Sequence, residues 1–139
     1  MSDPFADALE LQRAAAAEGF DWKDPAGLWE KLAEEVGELR AAEGFVHREE
    51  ELGDLLFMVV NLARHFGLDP AGALRSANAK FERRYGFVVR HTVELPPIGD
   101  PARLVRMEAL WQAAKRLEKN PENPNNTNYN SISCKILLK

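Results

Sequence analysis

The stretch Lys31–Asn61, KLAEEVGELRAAEGFVHREEELGDLLFMVVN, holds two acidic clusters, Glu34-Glu35-x-x-Glu38 and Glu49-Glu50-Glu51-x-x-Asp54, with Gly44 between them. Glycine suits the end of a helix and a short helix–helix connection, so two antiparallel helices are expected. The Glu35/Glu38 and Glu51/Asp54 pairs each lie about eight residues from the bend, roughly 12 Å at the helical rise. Folding back therefore brings four carboxylates to the same height.

The helical period of about 100° per residue selects the acids that face inward. With Leu28 as zero, Leu39, Leu32 and Val36 fall at about 20°, 40° and 80°, Glu35 at about −20°, Glu38 at about −80° and Glu34 at about −120°. Glu35 and Glu38 thus border the apolar stripe, and Glu34 points away. In the second helix Leu52, Leu55, Leu56, Val59, Leu62, Ala63 and Phe66 form one broad apolar face. Glu51, Asp54, Met58, Asn61 and His65 line the opposite one. A helix apolar on so many sides is expected to be buried, and buried carboxylates need a cation or hydrogen-bond donors. Hard divalent cations take oxygen ligands, and acids at i, i+3 present two of them to one ion. Two facing pairs make a half-shell with open positions. The competing reading, solvated acids helped by Lys31–Glu35 pairing, suits any single Glu-x-x-Glu better than it suits two matched pairs.

The chain has 139 residues, a net charge of −4 and one cysteine, Cys134. These values suit one domain with a core and give no support for binding nucleic acid or an anionic membrane. They also exclude an internal disulfide framework. The longest apolar run, Leu55–Val60, is too short to span a membrane. The acid-bearing N-terminus lacks the apolar core of a secretory signal, so a cytoplasmic protein is expected.

Four Asp-Pro pairs, at 3–4, 24–25, 69–70 and 100–101, combine an N-cap acceptor with a proline suited to the first helical position. With the Gly44 turn they predict five helices, at about 4–18, 25–43, 46–66, 70–88 and 101–119. The fold class is all-α, a helical bundle around the central acidic hairpin. His91–Leu95 is a candidate extended stretch, and Phe20 and Trp22 are expected to cover an end of the core. Residues 1–119 form the domain; the Asn-rich segment 120–139 is expected to be a disordered or extraneous tail.

Lys80 and Arg84 share a helix face and suit phosphate, although a cationic helix end paired with Glu82 has the same spacing. Trp111 fits either a core position or a base-stacking surface. No glycine-rich phosphate loop occurs. A di-iron bundle is disfavoured because no histidine follows an acid by three residues.

Taken together, Glu34-Glu35-x-x-Glu38 followed by Glu51-x-x-Asp54, GFDW at 19–22, LGDLLFMVVNLARHFG, ANAKFERR and LWQAAK resemble the MazG-type all-α nucleoside triphosphate pyrophosphohydrolases over most of residues 9–117. The likeness is to the C-terminal domain of bacterial MazG. The resemblance implies hydrolysis of a nucleoside triphosphate to the monophosphate and pyrophosphate in a homodimer, with Mg²⁺ or substituting Mn²⁺. By motif, Glu35, Glu38, Glu51 and Asp54 would be metal ligands, and Glu50 and Glu34 would orient or deprotonate water. Lys31, Lys80 and Arg84 would lie near the triphosphate and Trp111 near the base. His47 stands where relatives are expected to carry Lys or Arg. A narrower dUTP/dCTP or phosphoribosyl-ATP pyrophosphohydrolase, or a non-catalytic nucleotide-sensing or dimerisation module, would use the same scaffold. For the dimer there is also a packing reason: helix 46–66 is apolar on more faces than four short neighbours can cover.

Overall fold

A computed structural model describes residues 3–91, 93 and 95–120. It contains five helices, α1 (Pro4–Ala17), α2 (Pro25–Ala41), α3 (Phe45–His65), α4 (Pro70–Arg90) and α5 (Pro101–Lys119), and no strand among the described residues. The all-α expectation holds, and every helix end falls within two residues of its predicted place. The candidate extended stretch falls partly, and the 120–139 tail almost wholly, outside the described residues.

All four Asp-Pro starts act as read from sequence. Asp3, Asp24, Asp69 and Asp100 accept hydrogen bonds from the backbone N–H two residues on, at 3.0, 2.8, 3.1 and 2.8 Å. Each bond satisfies one donor that a helix start would leave orphaned. Gly44 sits one position later than a helix-ending glycine would. It precedes α3 as its N-cap with φ +77°, a left-handed-side value that favours a residue without Cβ. Arg48 Nε donates to Ala42 O at 3.1 Å and closes this turn.

The chain divides into two compact units, Met1–Arg75 and Ser76–Lys139. In the first, α2 packs along α3, and α1 also packs on α3. Leu28, Ala42, Met58 and Val60 are its buried apolar residues. Buried Gln12 of α1 donates through Nε2 to the carbonyl oxygen of Phe57 at 2.9 Å. In the second unit Val88 of α4 and Ala114 of α5 are buried. Phe81 lies 5.6 Å from Tyr85 and 5.3 Å from Trp111 between ring centroids.

Two packing expectations change. The broad apolar face of α3 is only partly covered: Leu52, Leu56, Val59 and Phe66 are 46%, 46%, 43% and 53% exposed, and Leu55, Leu62 and Ala63 are half-buried. Met58 and Asn61, on the acidic side of the wheel, are buried instead. The acidic side faces the hairpin because the carboxylates of the two arms converge there. At the end of the bundle Phe20 is 86% exposed, so only Trp22 covers anything. Its ring lies so close to Gly27 that a Cβ there would meet it at 3.0 Å.

Candidate functional site

The hairpin brings Glu35 and Glu38 of α2 to Glu51 of α3. One carboxylate oxygen from each lies within 4.8 Å of the others, close enough for a single cation to reach all three. Glu35 is the deepest, 5% exposed, whereas Val36 beside it is 42% exposed. On the wheel Glu35 lies only about 20° from Leu28, which is fully buried, and Val36 about 80° from it, so the buried face is turned toward the Glu35 side of the stripe. Asp54, three residues beyond Glu51, is exposed and does not join the three at this spacing. Glu34 and Glu50 are exposed, as expected of acids outside the stripe.

Lys31 Nζ supplies the positive charge found at this site. It lies 2.8 Å from Glu35 Oε1 and 2.9 Å from Glu34 Oε1, and these bonds raise its pKa above the ordinary lysine range. Glu35 Oε2 is different, being buried with no hydrogen-bond partner. A buried acceptor without a donor is costly, and a charged one more so. Glu38 responds to the same deficiency. A shared hydrogen bond with Glu35, then loss of solvent and the charges of Glu35 and Glu51, raise its carboxyl pKa above the usual range. Three converging carboxylates, one with an unsatisfied buried oxygen, fit the donor set a hard divalent cation requires. His47 Nε2 pairs with Glu51 Oε1 at 3.0 Å, an i, i+4 contact on α3. The histidine that departs from the expected Lys or Arg therefore touches one of the three acids.

A second polar cluster went unread in the sequence. Asp21, in the loop before α2, accepts from Arg64 Nη1 at 2.9 Å and Nη2 at 2.6 Å, and pairs with His65 Nε2 at 3.1 Å. Arg64 Nη2 also donates to Asn61 Oδ1 at 2.6 Å. The Arg64 hydrogen bonds, opposed by some desolvation, hold the Asp21 carboxyl well below the usual carboxylate range. The residues lie about forty positions apart, so no local spacing announces them.

In the second unit Lys80 is exposed and Arg84 half-buried. The Arg84 guanidinium sits 5.7 Å from the Trp111 ring centroid, within cation–π range. It also donates to Glu118, which Arg83 reaches as well. Trp111 is a half-buried ring packed against Phe81 and Arg84.

No helix among the described residues is long and apolar enough to cross a membrane. Residues 23–89 match the family described as the MazG nucleotide pyrophosphohydrolase domain. The chain is 39% identical over 108 residues to the nucleoside triphosphate pyrophosphohydrolase/pyrophosphatase MazG of Thermotoga maritima, covering 78% of this chain and 42% of that protein. It is 40% identical over 116 residues to the nucleoside triphosphate pyrophosphohydrolase of Escherichia coli K12, covering 80% of this chain and 44% of that protein. A Bacillus subtilis protein, YabN, is 36% identical over 69 residues, covering 50% of this chain and 14% of its own length. The chain therefore spans less than half the length of the relatives it matches. The acidic hairpin lies inside the matched region, and residues 23–89 are a domain of the MazG nucleotide pyrophosphohydrolase family.

Proposed function

We propose that this domain hydrolyses nucleoside triphosphates to the monophosphate and pyrophosphate with a divalent cation, Mg²⁺ or substituting Mn²⁺, at the acidic hairpin. The observation that carries the reading is the buried, partnerless Oε2 of Glu35 beside Glu38 and Glu51, in a chain whose relatives bear the name of that activity. Glu35, Glu38 and Glu51 would hold the cation, with Asp54 one helical turn further along α3 as the fourth ligand. When bound, the ion lowers the pKa of water and offsets phosphate charge.

The remaining roles fall to side chains. Glu50 and Glu34, both exposed, would accept a proton from water or orient it for in-line attack on the α-phosphorus. Lys31 has three donors, two of which serve Glu34 and Glu35, so one remains for a phosphate oxygen. Lys80 and Arg84 would neutralise the leaving pyrophosphate, and Trp111 would take the base. The exposed stripe Leu52, Leu56, Val59 and Phe66 supports a homodimer, a second copy covering what this chain leaves open.

The test is pyrophosphate release from a panel of triphosphates with Mg²⁺, for the native chain and Glu38→Gln. Release from the native chain, abolished in a folded Glu38→Gln variant, is expected. No release from any nucleotide by a chain that binds Mg²⁺ would favour a sensing or dimerisation module.

A further inference from the structure

The charge of Glu118 points the opposite way from the chemistry proposed for its neighbourhood. It places an anion on Arg84, a side chain read above as meeting phosphate. Glu118 Oε2 accepts from Arg84 Nε at 2.9 Å and lies 2.8 Å from Arg84 Nη2, while Oε1 accepts from Arg83 Nε at 2.8 Å. Burial alone would raise the Glu118 pKa. The hydrogen bonds from Arg84 and Arg83 outweigh it and hold the group below its ordinary value, so it is anionic.

Adjacent residues on a helix diverge by about 100°, and two arginines there repel each other. One carboxylate bridging both draws them toward the α5 side. Arg84 is then fixed twice, along one edge by Glu118 and across one face by the Trp111 ring. Trp111 is in turn braced by Phe81. A guanidinium carries five N–H donors. Glu118 engages Nε and one donor of Nη2, leaving the outer fork of Nη1 and Nη2 for a second acceptor. That planar fork matches two oxygens of a phosphate.

We propose that Glu118 is a positioning residue for polyphosphate, presenting the outer fork of Arg84 in a fixed orientation. The inference rests on the reading that Arg84 meets the triphosphate. Charge alone predicts the reverse sign. Removing Glu118 leaves the cluster more positive and, if the carboxylate merely competed with phosphate, would tighten anion binding.

The experiment is calorimetric titration of the full chain with inorganic triphosphate in Mg²⁺, which needs no turnover. It uses Glu118→Gln, Glu118→Ala, Arg84→Ala and the Arg84→Ala/Glu118→Gln double variant, each checked by circular dichroism for folding. Glu118→Ala should weaken binding by about tenfold, the scale of one charge-assisted hydrogen bond, and Glu118→Gln by less. In the Arg84→Ala background Glu118→Gln should have no further effect, a coupling that a merely structural role would not produce. Unchanged or tighter binding by Glu118→Gln, with Arg84→Ala weakened, overturns the positioning role and leaves that of Arg84 standing. Unchanged binding by Arg84→Ala overturns both.

Discussion

Replacing Glu35 by glutamine keeps the shape of the buried side chain and removes its charge, and the structure predicts opposite consequences with and without a divalent cation. Without the cation, wild-type Glu35 holds Oε2 buried and partnerless, a defect that costs about 1–3 kcal/mol. A glutamine keeps an oxygen for Lys31 and places an N–H donor beside Glu38. The metal-free variant is therefore expected to be at least as stable as the wild type. With Mg²⁺ at one hundred times its dissociation constant, the wild type gains about 2.7 kcal/mol by mass action, and a variant that binds poorly gains little. The order of stability reverses, with a swing of about 3 kcal/mol, roughly 10 °C in Tm for a domain of this size. Thermal unfolding by circular dichroism in EDTA and in excess MgCl₂ reads both limbs. Equal Mg²⁺ shifts in wild type and variant would refute a cation site at Glu35. So would a variant much less stable than wild type in EDTA, because Oε2 would then have had a partner.

Two further perturbations address other parts of the chain. Arg64→Ala strips Asp21 and Asn61 of their shared donor and should cost about 1–2 kcal/mol, at the low end for charged hydrogen bonds because water reaches Asp21. Its pH signature has a definite sign. The folded carboxyl of Asp21 is held below its ordinary 3.8, so its contribution is complete above that pH and is lost as the pH falls below it. Urea midpoints measured across that range should fall steeply for wild type and less so for the variant; parallel curves would remove Asp21 from the account. Leu56→Asp puts a charge in the middle of the open α3 stripe and should convert a dimer to a monomer in sedimentation velocity. A wild-type chain that already sediments as a monomer would count against the second copy.

Local signals were legible and distant ones were not. Each Asp-Pro start acts within two residues of itself, so sequence alone placed four helices. The inward turn of Glu35 follows from its angle to Leu28 and Leu32, a quantity internal to one helix. The outward face of α3 is less legible, because apolar composition shows what a surface prefers and not which neighbour reaches it. Within the first unit α2 and α1 are what pack on α3, and Leu52, Leu56 and Val59 remain open. The Asp21–Arg64 and Glu118–Arg84 contacts join residues 43 and 34 positions apart, where one sequence carries no pairing signal. The His47–Glu51 pair, by contrast, has the i, i+4 spacing of helix neighbours and was readable.

The connection between α2 and α3 also sets where this sequence can change length. Only residues 42–44 separate the two helices, and the acids lie well inside the arms. Extra residues at the tip would lengthen an exposed loop and leave the acids opposite one another, at a closure cost that grows slowly with length. One residue inserted between the tip and Glu51, or between Glu38 and the tip, would turn that arm's acids by about 100° and slide them about 1.5 Å. Drift in length is therefore expected at the bend, while the distance from bend to carboxylate stays fixed on both sides.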